Sequence, residues 1–357
     1  KKSDNKINGD REMSDIINFT KLNEKTNNRI EGIDVTRSIA LIGMVYINLN
    51  VILGTNFDEI YILNNLGMFN TVLQGRFASL FLVIAGLGLG LFKQKYNENY
   101  SIIIIKRAIF FFFIGCLNLL YWKPDIIHMY SVYFLMGIIF LRLKKEFLII
   151  IMIMNSLLQY ILLQNLNYEL GFTINYDNLT YTILKNLLYD GYYPVIPWSS
   201  FLIFGILISK LDLKNMKILW TMNAVGLTIL SISIEISINP ENSFDHIFSM
   251  YPYPPNVMFI FSAIGSSMAI LSSCLILSQK FKFETLTNVG RLSFTLYQFH
   301  LIYGFIIISI YDFNSPYPEV ALGLTILFWI MILIIINIID SKKLGIFEKI
   351  LRSLSNN

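Results

Sequence analysis

Hydrophobic positions in this chain run in long continuous blocks of Ile, Leu and Phe, separated by short polar stretches rich in Asn, Lys and Asp. A helix needs about 20 mostly apolar residues to cross a bilayer. Ten blocks approach that length: 36–54, 71–92, 102–120, 126–141, 147–163, 193–208, 216–236, 255–277, 292–310 and 320–339. The block at 193–208 is short, and those at 71–92 and 126–141 carry polar residues. Strands of a membrane barrel alternate apolar and polar residues, and these blocks do not. A helix satisfies its own backbone in lipid without a closed barrel. The expected fold is an all-α polytopic membrane protein of about ten transmembrane helices. It divides into a flexible polar tail (1–34), the transmembrane domain (35–340) and a terminal segment (341–357). In that last segment Leu344, Phe347, Ile350, Leu351 and Leu354 oppose Lys343, Lys349 and Arg352. Such a pattern lies on a membrane surface.

Composition sharpens this reading. The chain has 357 residues, 55% hydrophobic and 15% charged, with a mean hydropathy of +0.57. Soluble domains carry about 25% charged residues, so an ordinary soluble enzyme is excluded, and so is a disordered chain. Cys116 and Cys274 both lie inside apolar blocks, which excludes a disulfide scaffold. The net charge of +4 says less than where the charges fall. In the ten-span arrangement all but three of the 28 Lys and Arg lie on one side, the exceptions being Arg76, Lys123 and Lys185. The positive-inside rule then puts both termini in the cytoplasm, and no nucleic-acid partner is expected. The polar tail has no apolar signal region, so no cleavable signal peptide is expected. The outer loops hold acids instead: Asp58, Glu59, Asp125, Asp177, Asp190, Glu241, Asp245, Asp312 and Glu319. The loop from 164 to 192 is long enough to form a small cap over that surface.

Polar residues inside spans are costly and therefore candidates for function. Arg37, Arg107 and Arg291 sit at inner span ends and together could hold a phosphorylated ligand, since the guanidinium fork suits phosphate. Orientation alone accounts for most inner basic residues. Arg76, near the outer end of the second span, is placed either to snorkel outward or to pair with an outer carboxylate. Asn48 lies in the outer half of the first span. His300 lies in the middle of the ninth, where bonding to a neighbouring helix would explain it equally well. Asp125 and His128, spaced i, i+3 at the start of the fourth span, share a helix face. A carboxylate beside an imidazole orients it and raises its basicity, and the pair could take a proton from a hydroxyl or amine. A helix-capping Asp125 with an interfacial His128 is the simpler reading of the spacing. The third histidine, His246, is in an outer loop, and no His or Cys pair has ligand spacing, so no metal is expected. The glycines of 85–90 lie inside a span and suit close helix packing rather than a nucleotide loop.

Several segments together resemble a known family. Arg29-Ile30-Glu31-Gly32-Ile33-Asp34-Val35-Thr36-Arg37, running on to Gly43-Met44 and Asn48, is similar to the first span of the transmembrane acyltransferases related to heparan-α-glucosaminide N-acetyltransferase. Gly75-Arg76-Phe77 through Gly88 resembles the second span of bacterial members. Asp125-Ile126-Ile127-His128-Met129-Tyr130 resembles their "D-I-L-x-x-Y" segment, and Tyr251-Pro252-Tyr253-Pro254-Pro255 a later proline-rich stretch. Gly290-Arg291-Leu292-Ser293-Phe294-Thr295-Leu296-Tyr297-Gln298-Phe299-His300 resembles a helix shared with the acyltransferase-3 family. Gly345 to Arg352 resembles the family's C-terminal "G-P-L-E-x-x-x-R".

The resemblance implies an acyl-CoA-dependent O- or N-acyltransferase, acetyl-CoA being the first expectation. It would move the acyl group from the cytoplasm to an extracytoplasmic glycan, glycolipid or other envelope acceptor, in a bacterial cytoplasmic membrane, with a homodimer among the expected partners. On this resemblance Arg37, Arg107 and Arg291 would bind the CoA phosphates, with Arg76 and Tyr297 as further cofactor contacts. Asn48 and His300 would line the pantetheine path, and Asn48 could bond the thioester oxygen. The animal lysosomal enzyme has its catalytic histidine in the loop after the first span. Here that loop, 55–70, has Asp58 and Glu59 but no histidine. His128, oriented by Asp125, is therefore the first candidate base and His300 the second. A transporter or a non-catalytic assembly factor is the alternative from a different class.

Overall fold

A computed structural model describes residues 29–54, 72–96, 99–170, 178–238, 248–311, 318–338 and 345–354. The described chain is helical, with one isolated β-bridge between Pro252 and Pro255. In order the helices are α1 (Glu31–Ile52), α2 (Arg76–Tyr96), α3 (Tyr100–Leu119), α4 (Ile127–Phe140), α5 (Lys145–Asn165), α6 (Leu179–Leu188) and α7 (Val195–Ile208). They continue as α8 (Met216–Ile238), α9 (Val257–Lys280), α10 (Glu284–Arg291), α11 (Ser293–Ile310), α12 (Pro318–Ile338) and α13 (Ile346–Ser353).

Eight of these are long and apolar enough to cross a membrane: α1, α2, α3, α5, α8, α9, α11 and α12. The protein is thus a multi-pass membrane protein. The other two predicted spans, α4 and α7, have 14 residues each, about 21 Å of helix, against a hydrocarbon core of about 30 Å. Both are interior elements: Tyr133, Trp198, Phe201, Leu202 and Ile203 are fully buried. By contrast α3, α5 and α12 turn rows such as Ile102, Ile109 and Phe113, or Ile326, Ile330 and Ile334, outward. An apolar exterior on that scale suits lipid, not water.

Close backbone contact holds the interior together. A Cβ on Gly86 of α2 would stand 2.0 Å from the Leu202 carbonyl oxygen of α7, and one on Gly205 of α7 would stand 2.0 Å from that of Val83. The two backbones touch, as small residues allow in membrane bundles. Helix α1 packs against α2, α9, α10, α11 and α12. It runs antiparallel to α2, since Gly43 meets Phe77 while Gly88 meets Arg37.

The short helices gather at the ends of this bundle. At the end where α1 begins, Glu31 Oε1 accepts from Phe283 N (3.1 Å) and Thr287 Oγ1 (3.0 Å), capping α10. Ser38 Oγ donates to the Leu286 carbonyl. The expected amphipathic C-terminal segment is α13, and its Glu348 caps α11. The carboxylate accepts from Phe294 N and Thr295 N, each at 2.9 Å, and from Thr295 Oγ1. The Phe347 ring packs 5.1 Å from that of Phe294. At the other end, α6 belongs to the expected cap, of which 171–177 lies outside the described residues. Lys185 Nζ stands 2.8 Å from Asp190 and 3.6 Å from Glu169. Burial pulls the Lys185 ammonium down, but the hydrogen bond and charge of Asp190 outweigh it and hold it above the ordinary lysine value. The outer acids Asp58, Glu59, Asp177, Glu241, Asp245 and Asp312, and His246, lie outside the described residues.

Candidate active site

The arginines expected to bind phosphate gather at the end where α1 begins. Their organiser is Asp34, 1% exposed. Arg29 grips it with both ends of its fork, Nε to Oδ2 at 2.5 Å and Nη2 to Oδ1 at 3.0 Å. Arg37 Nη1 donates to Oδ1 at 2.8 Å, and Arg291 Nε lies 3.9 Å from Oδ2. One carboxylate holds three guanidiniums, so positive charge is left over. These arginine side chains remain 41%, 30% and 40% exposed. Arg107, on α3, lies 4.7 Å over the Phe92 ring and within reach of the Arg37 charge. Gly88 leaves the space beside Arg37 open, its Cβ position 3.8 Å from Nη2. Asp34 and Arg29 were missing from the expected site residues. The readable signal was an acid three residues before Arg37, one helical turn away.

Arg76, expected as a further cofactor contact, is not part of this cluster. It opens α2, 12 residues before Gly88, or about 18 Å along the helix, and α2 runs antiparallel to α1. Nor does it snorkel, and among the described residues it meets no acid. It is 3% exposed, donates Nη2 to the Met250 carbonyl at 3.0 Å and lies 3.4 Å from that of Gln74. Its guanidinium sits 4.9 Å from the centre of the Phe259 ring.

At the same end of the bundle lies a cavity of about 260 Å³ whose polar lining includes Asn48, Gln74, Tyr192, Tyr193, Tyr251 and Tyr253. The cap and the 248–256 segment supply the four tyrosines. Burial, chiefly, pushes the Tyr253 hydroxyl well above the usual tyrosine range. Behind the wall, Asn48 Nδ2 stands 3.0 Å from Nε2 of the fully buried His300. Asn48 lies 14 residues along α1 from Asp34, or about 21 Å. A single helix thus carries the basic cluster near one end and the Asn48–His300 pair near the other.

The second histidine has its own setting. Asp125 is fully buried. Its Oδ2 accepts from His128 N at 2.9 Å and faces His128 Nδ1 at 3.2 Å. Its Oδ1 accepts from Asn118 Nδ2 at 2.9 Å, and the Tyr297 hydroxyl stands 3.5 Å away. Asn118 in turn accepts from the Tyr121 hydroxyl at 2.9 Å. A Cβ on Gly115 would lie 2.2 Å from His128 N, so α3 presses directly on the His128 backbone. The expected dyad therefore exists, and Asp125 is both helix cap and imidazole partner. His128 is not among the residues lining the cavity, although Pro124 is. Tyr297 joins the two histidine sites, its ring 5.0 Å from that of His300. It belongs with the histidines and not with the arginines of the basic end. Among the described residues no group of His, Cys, Asp and Glu is placed to hold a metal ion.

Fold and site together define a polytopic membrane protein with an arginine-rich end and, across the bundle, a buried Asn48–His300 pair behind a tyrosine-lined cavity. Residues 29–234, more than half of the chain, match the family model described as heparan-alpha-glucosaminide N-acetyltransferase, catalytic. The chain belongs to this family of membrane-embedded, acyl-CoA-dependent acyltransferases, as its motifs led one to expect. The match includes Arg37, Asn48, Arg76, Arg107, Asp125 and His128, while Arg291, Tyr297 and His300 lie beyond its end. No curated protein matches the chain significantly.

Proposed function

We propose that the protein transfers an acyl group, acetyl in the first instance, from acyl-CoA held at the basic end to a hydroxyl or amine of an extracytoplasmic sugar or other envelope acceptor in the cavity. In this reading the chain crosses the membrane ten times with both termini in the cytoplasm, so the basic end faces the acyl-CoA pool. The observation that carries it is the placement on α1 of Asp34 with its arginines at one end and Asn48 with His300 at the other. Arg29, Arg37, Arg107 and Arg291 hold the CoA phosphates through charge-assisted bonds, and the pantetheine arm runs along α1 toward Asn48. The acceptor oxygen or nitrogen attacks the thioester carbonyl carbon while His300 Nε2 takes its proton. The Asn48 amide turns from Nε2 to the thioester oxygen, where negative charge develops. The carbon–sulfur bond breaks and the His300 proton passes to the departing thiolate. No covalent acyl-enzyme is needed.

A second reading makes His128 the base, favoured by its Nδ1 contact with Asp125. The test is release of CoA thiol from acetyl-CoA by the purified protein with a panel of amino and neutral sugars, for wild type, His300→Ala and His128→Ala. Acceptor-dependent release that disappears in His300→Ala is the expected result. Loss in His128→Ala alone moves the base to His128, and no release with any acceptor overturns the transfer reading.

A further inference from the structure

Buried charges in proteins are ordinarily paired, because an isolated ion in a low-dielectric interior is unfavourable by several kcal/mol. Arg76 departs from that rule. It is 3% exposed, and no carboxylate among the described residues pairs with it. Its visible partners are two backbone carbonyls and the Phe259 face. Its Nε has no hydrogen-bond partner, and neither has Oε1 of Gln74, itself 4% exposed. One orphaned donor and one orphaned acceptor therefore stand two residues apart.

Gln74 stands at the cavity, and Arg76 lies just behind its wall. Gln74 and Gly75 line it directly, as does Tyr251, the neighbour of the Met250 carbonyl that Arg76 holds. The guanidinium is thus sandwiched between two segments that form the cavity wall. The start of α9 adds to the positive field there: Phe259, beneath the guanidinium, is in its first turn, and helix N-termini carry partial positive charge. A neutral ligand would leave this charge unanswered.

We infer that the cavity takes an oxyanion-bearing acceptor, a carboxylate or phosphate group beside a hydroxyl, as in an acidic sugar. The oxyanion answers the charge of Arg76, and the neighbouring hydroxyl donates to Gln74 Oε1. This rests on reading the cavity as the acceptor site, but it concerns binding alone and requires no acyl transfer.

The test measures binding of glucose, glucuronate and glucose 6-phosphate to the full chain in detergent by saturation-transfer NMR and calorimetry. The variants are Arg76→Gln, Arg76→Lys and Gln74→Glu; circular dichroism and thermal melting report on the fold of each, and acetyl-CoA binding is measured alongside. A charge-assisted bond in a buried site contributes about 1.5–3 kcal/mol, so an acidic sugar should bind at least about tenfold tighter than glucose. Comparison of the two acids tells carboxylate from phosphate. The preference should vanish in Arg76→Gln and partly return in Arg76→Lys. Gln74→Glu, which supplies an internal counter-charge, should also remove it and serves if Arg76→Gln does not fold. Equal binding of neutral and acidic sugars, binding of none of them, or a preference that survives both substitutions overturns the inference. Failure of acetyl-CoA to bind the wild type would count against the acyltransferase reading and leave this result standing.

Discussion

The two ends of α1 handle positive charge in opposite ways. At one end three arginines share one buried carboxylate, and each keeps about a third or more of its side chain exposed. Water can screen that surplus charge. At the other end a single arginine is sealed from solvent with carbonyls and an aromatic face for company. The first arrangement suits a ligand that arrives and leaves through water with several negative charges. The second suits a ligand that is enclosed and carries one anionic group. Asn48 and His300 lie on the cavity side, so in the proposed function the chemistry is assigned to the sealed end and anchoring to the open one.

This division predicts different failures. The largest is at the reacting pair. His300→Ala should lower acyl transfer by about 100- to 10,000-fold, the range for a lost general base, while acetyl-CoA binding by calorimetry stays unchanged. Equal loss of binding would mean that the two ends are not separable. Asp34→Asn sharpens the picture at the basic end. If Asp34 fixes the arginine forks in place, acetyl-CoA affinity should fall by roughly tenfold despite the added positive charge, since bidentate geometry is lost. A rise in affinity would mean that charge alone matters there. Glu348→Ala removes the cap of α11, the helix bearing Tyr297 and His300, and should cost about 0.5–2 kcal/mol. That is a drop of a few degrees in thermal melting, and Glu348→Asp should recover part of it.

The smallest effect is at the cap. Lys185 is held above the usual lysine value by Asp190. Its contribution is therefore complete below the ordinary lysine pKa and lost only as pH rises through the raised one. Hydrogen exchange of the cap amides, normalised to intrinsic rates, should be flat from neutral to moderately alkaline pH and accelerate only beyond the ordinary lysine range. Lys185→Met should already show that faster exchange at neutral pH.

Much of this was legible in the chain. Each of the ten apolar blocks contains a helix, because a continuous apolar run longer than a strand has few other solutions in lipid. What periodicity could not show is that α4 and α7 are only 14 residues long and are largely buried in the bundle. The dyad of Asp125 and His128 was readable because its members are one turn apart. The pairing of Asn48 with His300 was not, since 252 positions separate them and only tertiary packing brings α1 and α11 together. The place of Arg76 was hidden for a related reason: the antiparallel course of α2 sets it behind the cavity wall, far from the other arginines. In the sequence Asp34 looks like a first-turn helix acid, and only the fold brings its three arginines around it.

The most direct test of the account is calorimetry of acetyl-CoA with the purified protein in detergent, for wild type, the Arg37→Ala, Arg291→Ala double variant and His300→Ala. The account predicts micromolar binding by wild type and by His300→Ala. The double variant should bind at least about 100-fold more weakly, from about 1.5–3 kcal/mol for each charged bond lost. Unimpaired binding by the double variant, or no binding of acetyl-CoA by a folded wild type, would contradict it.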